Sequence, residues 1–77
     1  MTEVEIIWQQ CLSLLKDQYG QEDYNTWFKL LRVRVEDQKL QVLASNRLIQ
    51  GFIKTKYWDK ISSLLGELSN GMPNELL

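Results

Sequence analysis

The spacing of apolar residues changes period once along this chain and then changes back, and that switch limits the folds open to it. From Arg32 to Val42 the pattern alternates: Arg32-Val33-Arg34-Val35-Glu36, a short connection at Asp37-Gln38, then Lys39-Leu40-Gln41-Val42. A period of two turns one face of each segment to a core and the other to water, which predicts a β-hairpin. Asp-Gln is a weaker turn signal than Asp-Gly, so the pattern fixes the hairpin and leaves its turn type and register open.

On both sides the period lengthens to three and four. Val4, Ile7, Cys11 and Leu15, with Trp8 and Leu12 alongside, predict an amphipathic helix from Glu3 to about Gln18, ended near Gly20. A second helix, about Glu22 to Leu30, gathers Tyr24, Trp27, Phe28 and Leu31 on a face expected to form the middle of the core. Its first turn holds Glu22 and Asp23, where the helix dipole favours negative charge. After the hairpin, Asn46 signals a cap for one long helix from Arg47 to Leu65 or Leu68, with Ile49, Ile53, Tyr57, Ile61 and Leu64 as its core stripe. Residues 69–77 are rich in turn formers and lack periodicity, so they read as the start of a linker or a frayed tail, and the domain as residues 1–68. The order helix, helix, hairpin, helix gives an α+β domain. Its helices lie on one face of a small antiparallel sheet of two strands, or of three if the last residues supply one.

At 77 residues there is room for one domain, burying roughly 60% of the surface its unfolded chain exposes. A 44% hydrophobic content with three tryptophans is enough to build a core. Nine basic and ten acidic residues leave a net charge of −1, so no global field draws the chain to nucleic acid or membrane. The single Cys11 precludes an internal disulfide and suits a reducing cytoplasm, and the absence of histidine removes the commonest zinc ligand and acid/base catalyst. No nucleophile elbow, phosphate-cradling loop or paired metal ligands appear either, so the chain does not read as an enzyme. The acidic start, Met1-Thr2-Glu3-Val4-Glu5, is unlike a signal peptide, and no apolar run approaches a membrane span.

Four placements point to protein binding, and each has a plainer reading. Leu48 projects more than about 90° from the centre of its helix's core stripe, though lone exposed leucines are common. Asp23 is also a dipole-complementing acid, Asn46 also an N-cap, and Trp8 also a core residue by spacing. The alternative is weak single-strand nucleic-acid contact through Arg32, Arg34, Arg47, Lys54, Lys56 and Lys60, against which stands an equal number of interleaved acids.

The segments Trp8-Gln9-Gln10-Cys11-Leu12, Tyr24-Asn25-Thr26-Trp27-Phe28, Leu40-Gln41-Val42, Ala44-Ser45-Asn46-Arg47-Leu48 and Lys56-Tyr57 with Ile61 are together similar to the N-terminal domain of the bacterial replication initiators, the DnaA family. The resemblance runs from about Val4 to Leu65. It implies a small K-homology-like domain that recruits the replicative helicase DnaB, supports initiator self-association at the origin, docks DiaA-like regulators and holds no cofactor. ATP binding and duplex-DNA binding are implied only for modules further along an initiator chain. By position, Trp8 matches a tryptophan of self-association and regulator contact. Asp23 stands in place of a helicase-contacting Glu, Leu48 in place of a helicase-contacting Phe, and Asn46 matches a regulator-binding residue. Ser45 replaces the proline of the common Ala-Pro-Asn-Arg-Phe pattern, Leu30 replaces a proline after the second helix, and Phe52 replaces a tryptophan. The alternative of a stand-alone adaptor or inhibitor competing for initiator partners shares this resemblance.

Overall fold

The computed structural model describes residues 2–77. Helix α1, Glu3–Tyr19, starts where Thr2 adopts an extended conformation and its hydroxyl accepts from the Glu5 N–H at 3.3 Å. It stops at Gly20, whose φ of +94° needs a residue without a Cβ and whose N–H closes on the Lys16 carbonyl at 2.8 Å. Trp8, Cys11, Leu12 and Leu15 form its buried face, as the spacing predicts.

The second helix is shorter than expected. Helix α2 covers only Gln21–Thr26, Trp27 is its C-cap with φ stretched to −119°, and Phe28–Leu30 forms a 3₁₀ turn. Phe28 and Leu31 are buried as anticipated, whereas Tyr24 and Trp27 are half-buried at the edge of the core. Strands β1 (Arg32–Glu36) and β2 (Lys39–Leu43) then pair antiparallel with Glu36 opposite Lys39. Asp37 and Gln38 both lie at positive φ, 53° and 62°, the signature of a type I′ turn.

The long final helix is also broken. Helix α3, Arg47–Lys56, and helix α4, Trp58–Leu68, meet at Tyr57, which has φ −125°. The bonds from the Tyr57 N–H to Ile53 and from the Ile61 N–H to Tyr57 persist, so the joint is a kink and not a loop. Tyr57 sits at this joint with its ring edge-on to Tyr19 at 5.0 Å and to Phe28 at 4.9 Å. Ile53, Ile61 and Leu65 are fully buried, with Leu65 taking the depth expected of Leu64, which is half-buried.

Residues 69–77 are not a frayed tail. Asn70 and Gly71 turn the chain at positive φ, and Asn74–Leu76 forms β3, parallel to β2 with Gln41 opposite Glu75. The strand is anchored from below by α4: the Ser62 hydroxyl donates to Asn74 Oδ1 at 2.6 Å, and Asn74 Nδ2 donates to the Ser62 carbonyl at 3.1 Å. The sheet is therefore three-stranded and mixed, in the order β1-β2-β3, where an antiparallel one was expected. Leu40 and Val42 point inward and are fully buried, and helices α1 and α4 contact each other within the same core. On the outer face Arg34 donates to Gln41, and Gln41 to Glu75, each at 2.7 Å, a polar ladder across all three strands.

Candidate protein-interaction surface

Asn46 starts the surface by starting α3. Its extended backbone lets Oδ1 accept from the Ile49 N–H at 2.9 Å, which fixes the first turn and so the direction of Leu48. Leu48 is 82% exposed, the most exposed large apolar side chain described. Ile49 and Ile53 take the core side of α3, and Leu48 lies about 120° around the helix from their mean direction.

One turn on from Leu48 is Phe52, on the same side of α3. It is half-buried and stacks on Trp27 with ring centroids 3.9 Å apart and planes 13° from parallel, while Lys56 Nζ sits 5.5 Å from its ring centre. Trp27 closes the last turn of α2 by donating its N–H to the Asp23 carbonyl at 2.9 Å. Leu48, Phe52, Trp27 and Asp23 thus follow one another as a strip across two helices that are distant in sequence. Sequence reasoning missed the middle pair. The i, i+4 spacing from Leu48 to Phe52 and from Asp23 to Trp27 was the signal that could have found it.

Asp23 is half-buried, and its Oδ2 accepts from the Tyr57 hydroxyl at 3.2 Å. Burial, then the hydrogen bond to the Asp23 carboxylate and its charge, then the neighbouring Tyr19, raise the Tyr57 phenol above its ordinary value. The carboxylate therefore has two roles, bracing the α3–α4 kink and presenting a negative group beside the aromatic stack.

Trp8 is not part of the strip. It is only 5% exposed and packs in the core, so it offers little surface to any partner. Cys11 is fully buried and its thiol is pushed up to about 12 by burial, which makes it inert at neutral pH. Of the cations weighed for single-strand contact, Arg32 and Arg34 lie on the sheet, in β1. Arg34 pairs with Glu36 at 3.2 Å and bonds Gln41, and Lys39 approaches Glu75 at 4.0 Å. Among the described residues no three metal-ligating side chains converge, and no helix is long and apolar enough to cross a membrane.

The sequence that builds these elements matches a known family along most of its length. The model of the DnaA N-terminal domain covers residues 5–67. The chain belongs to the DnaA N-terminal domain family. It is thus a replication-initiator domain, of a kind that acts by protein interaction and is not itself catalytic. Within the DnaA frame the matched span includes every residue of the strip and ends just before the turn that leads into β3.

Proposed function

We propose that this domain recruits the replicative helicase, DnaB, to initiator assembled at the origin, through the strip that runs from Leu48 over Phe52 and Trp27 to Asp23. The observation that carries the reading is Leu48 at 82% exposure next to a stacked aromatic pair. An apolar side chain on a capped first turn, flanked by half-buried rings and one carboxylate, has the makings of a small hot spot. Weak self-association and docking of a DiaA-like regulator around Asn46 complete the reading. Weak contacts suffice because copies lined up along DNA raise one another's effective concentration. In this reading the domain itself holds no cofactor, ATP belonging to a downstream module if the chain is part of a longer initiator, and the setting is the cytoplasm.

Titrating the labelled chain with helicase while following backbone amide shifts tests the assignment. Shifts concentrated at Asp23, Trp27 and residues 47–52 support it; shifts confined to the sheet or to the outer side of α1 refute it. Weak single-strand contact is checked in the same way with an oligonucleotide across a salt series, since such binding falls steeply with salt.

A further inference from the structure

Strand β1 is an edge. The sheet order leaves nothing beyond it among the described residues, and four of its five residues are exposed. The phase of the ladder says which backbone groups face out. The Leu40 N–H donates to Pro73, and the Val42 carbonyl accepts from Leu77, so both residues turn their backbone groups toward β3. Their partners on β1, Val35 and Val33, therefore turn theirs to the open edge. The Val33 and Val35 side chains lie on the inner, apolar face, and Val35 is 47% exposed although it stands opposite the fully buried Leu40. An uncovered inner-face valine beside free donors and acceptors marks a strand with space for another.

The sequence of β1 is complementary to itself when reversed. Set antiparallel to a second copy and centred on Arg34, Val33 meets the second copy's Val35 with their outward backbone groups in phase, and Arg32 meets the second copy's Glu36 at both ends. Arg34 is left opposite Arg34, but each is already held toward its own chain by Gln41 at 2.7 Å and Glu36 at 3.2 Å. We infer that two copies of this domain associate through antiparallel pairing of their β1 edges, joining two three-stranded sheets across a twofold axis. This rests on the self-association part of the proposed function and gives it a surface, which the burial of Trp8 otherwise withholds. A strand of five residues makes a small interface, so the dimer is weak and depends on tethering.

Charge exchange tests the pairing. Sedimentation of the chain from micromolar to millimolar concentration gives its self-affinity. Arg32→Glu and Glu36→Arg each place like charges opposite each other in a self-pair and should weaken association by about tenfold. An equimolar mixture of the two restores opposite charges at both ends and should recover most of the wild-type affinity. Val35→Pro removes only an outward-facing N–H, so β1 stays paired with β2 while the dimer is lost. Circular dichroism confirms that each variant is folded. Association that is unchanged by the variants, or not recovered in the mixture, overturns the β1 edge alone; a chain that stays monomeric throughout overturns the edge and the self-association reading together. Neither result bears on the helicase strip, which the amide titration tests separately.

Discussion

Trp27 and Phe52 stack face to face, 3.9 Å between centroids, and this one contact carries the end of α2 onto the middle of α3. Helix α3 buries only Ile53 completely, so the stack is a large part of what holds it to the rest of the domain. Truncating either ring to alanine should destabilise the fold. In a double-mutant cycle followed by urea unfolding, the pair should show a coupling of about 0.5–1.5 kcal/mol. Additive effects would mean that the rings are neighbours without being partners.

A second tie crosses the same junction, from the Tyr57 hydroxyl to Asp23. Tyr57→Phe keeps the ring packing against Tyr19 and Phe28 and deletes only this bond. Asp23 is partly exposed, so water can replace the lost donor, and the cost should be about 0.5–1.5 kcal/mol in chemical denaturation. The same variant leaves the carboxylate in place, so helicase affinity should change less than with Asp23→Ala.

These two contacts also mark where the fold stops being legible in the sequence. The first helix, the hairpin and the Asn46 cap follow from local pattern and can be read directly. Both helix breaks are invisible to it because the apolar spacing runs through them: Tyr57 continues the series from Ile53 to Ile61 without interruption, and Trp27 sits beside Phe28 as in any aromatic face. At each break a ring meets a partner far away in the chain, Trp27 stacking on Phe52 and Tyr57 meeting Tyr19 and Phe28 edge-on. Strand β3 is hidden for a related reason. Three residues carry no usable alternation, and the strand depends on Asn74 finding Ser62 and on a parallel neighbour. Of the candidate site, Leu48 was readable as an apolar residue off its stripe, but its connection to Asp23 was not, because the stack that links them is tertiary. For Trp8 the family position implies contact while the local spacing equally allows the core, where the structure places its side chain at 5% exposure.

The hairpin turn holds a reserve of stability. Gln38 is exposed and sits at φ 62°, where a side chain is disfavoured and glycine is not. Gln38→Gly creates Asp-Gly, a preferred pair for this turn, and should stabilise the chain by about 0.5–1 kcal/mol after the entropy of the more flexible unfolded state is counted. The urea midpoint should rise with no change in slope. A fall in midpoint would show that the unfolded state gains more from the glycine than the turn does.

Alkaline pH should unfold the domain by way of Cys11. Its thiol is held up to about 12, so between the ordinary value of 9.0 and about 12 the native state keeps a proton that the unfolded chain gives up. Stability is thus complete below pH 9 and declines as pH rises, with a slope approaching about 1.4 kcal/mol per pH unit from this group. Above pH 10 Tyr57 adds to the loss in the same direction, because its phenol is raised too. Cys11→Ala should lower stability at neutral pH by leaving a small cavity, yet flatten the decline between pH 9 and 10. A decline equally steep in that variant would place the titrating group elsewhere.

Leu48 separates binding from folding more cleanly than any other position. At 82% exposure it contributes little to the core, so Leu48→Ala should change stability by less than about 0.5 kcal/mol. If Leu48 anchors the helicase, the same change should weaken binding by about 1–2 kcal/mol, a factor of roughly 5–30. Leu48→Phe supplies the ring that the resemblance to initiator domains implies for this position. Phe52 lies one turn away and is already stacked on Trp27, so the new ring extends an existing aromatic strip instead of standing alone. Affinity should therefore rise above wild type in the Phe variant and fall in the Ala variant, with melting temperatures within a few degrees of each other. Calorimetric titration of helicase with the three chains checks this, and equal affinities would remove Leu48 from the interface.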